Sequence, residues 1–165
     1  MTLAPFDPRP ALVTLCAHDV GFVMIGGLAA SLHGSPSITG DLDICPARDD
    51  ANLGRLADAL RELRAVLRGA PPDVPFLLDA KTLAAGDHFT FTTTAGAIDC
   101  LGTPAGTSGF DELKRNAVEM DLGSDLSIRV ASIDDLIRMK LAAGRPKDLI
   151  EVEVLGALRD ELEGR

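Results

Sequence analysis

Asp41 and Asp43 lie two residues apart in Asp41-Leu42-Asp43-Ile44, thirteen residues beyond the pair Gly26-Gly27. Residues i and i+2 of a strand point to the same side, which presents two carboxylates together with Cα atoms roughly 6.6 Å apart. Two hard-oxygen ligands at that separation suit one Mg²⁺ or a shared pair of ions, and paired metals suit phosphoryl-transfer chemistry. Ahead of them, Phe22-Val23-Met24-Ile25 is a continuous apolar run that stops at the glycines. A glycine pair between a strand and a helix lets backbone approach a ligand closely, and a helix start behind it favours phosphate. The same acidic spacing recurs at Glu119/Asp121, Glu151/Glu153 and Glu161/Glu163, where a solvated face is sufficient explanation. Placement sets Asp41 and Asp43 apart, because they occupy an apolar strand directly after a strand–glycine–helix unit.

A third acid, Asp99, sits inside Ala97-Ile98-Asp99-Cys100-Leu101. An aspartate within an apolar strand must be paired or metal-bound to offset its desolvation, unless it faces water from a sheet edge. After Ser132, the residues Ile133, Leu136, Ile137, Leu141 and Gly144 form one helical stripe, and Lys140 falls in its middle. A lysine there meets an anion, opens onto a cleft, or snorkels past the helix edge. Arg145 and Lys147 follow at a turn, compatible with a phosphate patch or with ordinary exposed charge. Asp148 is expected to favour the dipole in the first turn of its helix. His33 reads as a cap or packing residue, and Ser31 and Ser35 lack the partnered base of a nucleophile. Arg55, Arg61, Arg64 and Arg68 fall largely off the apolar stripe of one helix and read as its solvated face.

The string Gly26-Gly27-Leu28-Ala29-Ala30-Ser31-Leu32-His33-Gly34, then Thr39 and Asp41-Leu42-Asp43, resembles the signature of the DNA-polymerase-β-like nucleotidyltransferase superfamily. It is similar in particular to the small bacterial branch that includes AbiEii-type toxins of type IV toxin–antitoxin systems. The resemblance runs from about Phe22 to Leu155. It implies a nucleotidyltransferase fold and metal-dependent transfer of an NMP from an NTP to a hydroxyl acceptor, whether RNA, protein or small molecule. By the same resemblance, Asp41, Asp43 and Asp99 hold Mg²⁺ or Mn²⁺ and carry catalysis, while Gly26, Gly27, Lys140 and Arg145 contact the nucleotide. A toxin of this kind implies an antitoxin partner. Ser37 and Gly40 stand where relatives often carry an arginine and a lysine. Two further readings therefore stand beside the first: an antibiotic-modifying small-molecule nucleotidyltransferase using the same residues, and a catalytically silent nucleotide-binding module.

The elements that must position these groups can be read from periodicity and punctuation. A short helix is expected over Ala11 to Asp19, a buried strand over Phe22 to Ile25, a helix to Leu32, and a strand at Asp41 to Ile44. Asp49 or Asp50 can cap a helix whose apolar positions run from Leu53 to Leu67, ended by Gly69 and Pro71-Pro72. His88–Thr94 and Gly96–Leu101 read as a hairpin, and so do Val118–Leu122 and Leu126–Val130 across Gly123-Ser124. A short helix lies between them near Asp111 to Asn116. Ser132 to Asp135 has capping-box spacing for a helix to about Ala143, and Pro146 opens a last helix ending near Glu163. The order is α/β (α+β): a mixed sheet flanked by helices in one domain over 1–165, helical at its C-terminal part from about 132 to 163.

Composition narrows the function classes. The 165 residues are 46% hydrophobic and 25% charged, ordinary for a globular protein with its own core. Sixteen basic against 25 acidic side chains give a net charge of −9, which opposes non-specific nucleic-acid binding. Trp and Tyr are absent, so stacking platforms for single strands are missing. Three cysteines without a C-x-x-C pair argue against disulfides or thiolate zinc and read as small buried residues. No apolar run reaches membrane-spanning length, and Met1 to Pro10 lacks a secretory pattern, so a cytoplasmic protein is expected.

Overall fold

The computed structural model describes residues 6–71 and 73–164. Pro72 and the first five residues, on which parts of the sequence reading fall, lie outside them. Along the chain the elements are α1 (Arg9–Ala17), β1 (Phe22–Ile25), α2 (Gly26–Leu32), β2 (Asp41–Pro46), α3 (Asp50–Glu62), β3 (Val66–Leu67) and α4 (Ala80–Ala85). There follow β4 (His88–Thr93), β5 (Gly96–Leu101), α5 (Phe110–Asn116), β6 (Val118–Asp121), β7 (Ser127–Val130), α6 (Ile133–Ala143) and α7 (Pro146–Glu163).

One seven-stranded sheet runs β3-β4-β5-β2-β1-β7-β6. The pairs β2·β5 and β1·β7 are parallel and the other four are antiparallel. This is a mixed sheet flanked by helices, the α/β (α+β) class that the element order implied and the arrangement that the resemblance implied. Alternation sorts its faces. Met24, Leu42, Ile44, Phe91, Ile98 and Cys100 are buried on one face, where Leu53 and Leu56 of α3 and Leu83 of α4 close over Phe89 and Cys100. Ile25, Asp43 and Asp99 share the other face, toward Leu136 and Met139 of α6. Cys45 and Cys100 are buried free thiols, as expected, while Cys16 is half-buried. Burial pushes the Cys45 thiol up to about 12 and raises Cys100 likewise.

Two features differ from the sequence reading. The helix opened by Asp49, whose side chain accepts from the Asn52 amide, stops at Glu62 instead of continuing toward Gly69. Arg64 turns left-handed (φ 55) and the Ala65 amide donates back to the Leu60 carbonyl at 2.9 Å. The chain then pairs with the free edge of β4, Val66 beside Thr92 and Leu67 beside Phe91. Leu67 satisfies the helical period, yet a sheet edge supplies backbone partners that a frayed last turn would leave to water. Helix α4 is an addition to the expected elements, bounded by Asp79, whose side chain accepts from the Thr82 amide, and by Gly86.

Asn52 fixes the two central strands. It is 1% exposed; its Nδ2 donates to the Gly21 and Ala47 carbonyls (2.9 and 2.7 Å), and its Oδ1 accepts from the Gly21 amide at 2.7 Å. Gly21 precedes β1 and Ala47 follows β2, so one side chain pins both ends of the unit that carries the glycines and the acid pair. Asn52→Ala strands these buried groups and should cost about 2–3 kcal/mol, read as a lower urea midpoint at unchanged m-value.

Candidate active site

Asp43 of β2 pairs in register with Asp99 of β5, and Asp41 with Ala97. Parallel neighbours in register point the same way, so the sheet brings all three carboxylates to one face, an arrangement that the family resemblance implied. They line a cavity of about 470 Å³ together with Gly27, Thr39, Lys140, Arg145, Lys147 and Glu151. Gly26 sits hard against the acid pair. Its φ is +74, and a Cβ there would collide with Asp43 Oδ2 and stand 2.9 Å from Asp43 Cγ. A Cβ on Gly27 would meet Thr39 at 3.0 Å. The glycines thus let β1 turn into α2 directly beside the carboxylates, a close approach that any side chain would block.

Asp43 is electrostatically stressed. Burial, then the charges of Asp99 and Asp41, push its carboxyl up to about 7, with Lys140 acting the opposite way. Its Oδ1 is buried and has no hydrogen-bond partner among the described residues. A buried acceptor left unpaired is costly, and a divalent cation is the partner that carboxylates of this kind take. The donor set therefore fits Mg²⁺ or Mn²⁺. Among the described residues, however, no three His, Cys, Asp or Glu side chains are already gathered at metal-holding spacing. Asp99 has a partner of its own, its Oδ1 accepting from Arg68 Nη2 at 2.9 Å. Arg68 lies not on the solvated face of a helix, as its position in the sequence suggested, but just after β3. Nothing local in the sequence marks it, because the contact depends on where the edge strand docks.

Lys140 and Arg145 converge on one buried acid. Asp148, fully buried, accepts from Lys140 Nζ at 3.4 Å, from Arg145 Nε at 2.7 Å and from the Arg145 amide at 3.2 Å. The Arg145 bonds, foremost among these contacts, hold its carboxyl below the usual range. Asp148 thus does more than favour a helix dipole: it aims both cations at the cavity rim, where Lys140 is only 23% exposed. Glu151, whose spacing with Glu153 reads in the sequence as a solvated face, instead accepts from Ser35 Oγ at 2.8 Å and Ser37 Oγ at 2.6 Å. It thereby ties the 34–40 loop to α7. A Cβ at Gly40 would meet nothing within 4 Å, so space for a longer side chain exists there. His33 Nε2 bonds the Ala131 carbonyl at 2.8 Å, the packing role expected of it.

No family model matches the chain, and no curated protein matches it significantly. Solved structures do share its fold. The lincosamide antibiotic adenylyltransferase LnuA, lincomycin-bound, superposes with a TM-score of 0.59 at 14% identity, over 91% of this chain and 94% of that one. A Thermotoga maritima protein assigned as a nucleotidyltransferase gives 0.54 at 18% identity over 95% and 91%. The antibiotic-resistance factor ANT(2'')-Ia gives 0.52 at 15% identity over 94% and 91%. The chain has the architecture of these nucleotidyltransferases almost from end to end.

The stressed carboxylate has a measurable signature. An unfolded aspartate loses its proton near about pH 4, whereas folded Asp43 keeps it to about 7. Between those values the folded form binds the extra proton, so stability falls as pH rises. Asp43→Asn should therefore melt higher than the unchanged protein at about pH 8, the gap closing toward about pH 4. Mn²⁺ should raise the melting point of the unchanged protein and not that of the variant. Coincident melting curves at the higher pH would contradict this account.

Proposed function

We propose that the chain is a metal-dependent nucleotidyltransferase that moves an NMP from an NTP to a hydroxyl acceptor. The observation that carries this reading is the set of Asp41, Asp43 and Asp99 on one sheet face, with a buried unpaired Asp43 oxygen beside a glycine turn. Asp41, Asp43 and Asp99 would hold Mg²⁺ or Mn²⁺, which would supply charge neutralisation for the triphosphate and acidify the acceptor hydroxyl. Lys140 and Arg145 neutralise phosphate charge at the rim, and Gly26 and Gly27 allow the phosphates to approach the backbone. Asp99 accepts the proton of the attacking hydroxyl. The acceptor oxygen attacks the α-phosphorus in line and pyrophosphate leaves, with positioning and electrostatics doing most of the work. The cavity lining carries Asp41, Asp43, Asp99 and Glu151 against Lys140, Arg145 and Lys147, and two of those cations are already paired with Asp148. Bare NTP is repelled by such a surface, so nucleotide and metal bind together.

The acceptor class favoured is a small hydroxyl-bearing compound. The fold matches over nearly its whole length a chain solved with lincomycin bound, and a net charge of −9 opposes a polyanionic acceptor. The toxin-like reading, with an antitoxin partner, uses the same residues and differs in where the nucleotide lands. Each α-labelled NTP, incubated with Mg²⁺ and panels of aminoglycosides, lincosamides, tRNA and proteins, separates the readings by the species labelled. Label on a small acceptor is expected. Asp41→Asn, Asp43→Asn and Asp99→Asn should each lower transfer at least about a hundredfold with circular dichroism unchanged. Undiminished transfer in any of the three sinks the assignment, and tight Mg²⁺–NTP binding without transfer to any acceptor leaves a silent binding module.

A further inference from the structure

Arg68 is the one cation bonded to a site carboxylate among the described contacts, and it arrives from outside the cavity lining. Its backbone amide donates to the Thr90 carbonyl at 2.9 Å, extending the β3–β4 ladder by one rung. Its Nη2 donates both to the Phe91 carbonyl at 2.8 Å and to Asp99 Oδ1 at 2.9 Å. Thr90 is also the cross-strand partner of Asp99. Strand β4 therefore lies between the arginine and the acid, and the guanidinium reaches across it with its direction fixed by a backbone carbonyl. The pair is half-sheltered, the side chains being 35% and 17% exposed. Removal from bulk water strengthens such a contact beyond that of a surface pair.

We propose that Arg68 is the positioning residue of Asp99: it fixes the third carboxylate by one oxygen and competes with the divalent cation for it. This rests on the transferase reading. A neutral or acidic group behind a metal ligand usually strengthens it. A guanidinium does the reverse, drawing charge from the carboxylate and adding a positive field near the ion. The same contact that weakens the resting grip on metal holds Asp99 at one orientation, from which it serves the acceptor hydroxyl. The two effects have opposite signs when Arg68 is removed.

Arg68→Met should bind Mn²⁺ more tightly than the unchanged protein, by about threefold or more in electron paramagnetic resonance titrations without nucleotide. Its kcat for transfer should fall about tenfold or more with KM for nucleotide nearly unchanged, because orientation and not binding is lost. Arg68→Lys keeps the charge and should recover part of the rate and the unchanged protein's weaker metal affinity. General damage to the sheet edge would weaken metal binding and turnover together, so the opposed signs separate positioning from folding. If Arg68→Met fails to fold, Arg68→Gln, which retains a donor for the Phe91 carbonyl, takes its place with the same expectation. Metal affinity that stays level or weakens in a folded variant, or an unchanged kcat, overturns the proposal. Asp43→Asn serves as the control for the underlying reading: if that variant and the unchanged protein bind Mn²⁺ alike, the metal site itself is wrong and both readings fall.

Discussion

Like charges crowded on one sheet face are the constraint around which the molecule is arranged. Asp41, Asp43 and Asp99 sit on the adjacent strands β2 and β5, and Asp43 and Asp99 are direct neighbours in register. In a folded chain this opposes stability, since burial first and then the charges of Asp99 and Asp41 raise the Asp43 carboxyl. Such an arrangement persists because the hydrophobic sheet beneath it over-determines the backbone. Leu42, Ile44 and Ile98, interleaved with the acids, are wholly buried on the opposite face, so β2 and β5 cannot shift register without exposing them. Packing energy on one side of the sheet holds electrostatic strain on the other.

The cations around the site are managed by the same logic. Asp148, buried at the start of α7, binds Lys140 and Arg145 and gives two flexible side chains a common anchor. Glu151, one turn further along, fastens the serines of the 34–40 loop. Helix α7 therefore organises one side of the cavity through these acids and adds Lys147 to its lining. On the far side, the short strand β3 delivers Arg68 to Asp99.

Much of this was legible beforehand. Strands β1, β2, β4 and β5, the hairpins and the last two helices follow from apolar periods and from Ser132, Pro146 and glycine punctuation, which act within a few residues. Where the reading failed, competition was non-local. Leu67 obeys a helical period, but Val66 and Leu67 found a free strand edge, and that edge is supplied by residues more than twenty positions later. Asp148 looks like a first-turn acid until α6 and α7 fold together and bury it.

The sequence by itself determined that Asp41 and Asp43 would face one side of a strand, because side-chain alternation is a local property, whereas Asp99 joined them only by resemblance until strand pairing set it beside Asp43. The sequence determined equally that only glycine could stand at Gly26 if backbone were to pass close to a ligand. Which partner each charge takes was settled only in three dimensions. Arg68 reaches Asp99, and Lys140 shares Asp148 with Arg145, because strand order and helix docking bring together groups that spacing along the chain leaves unrelated; Coulomb interactions depend on distance through space and are blind to separation in sequence.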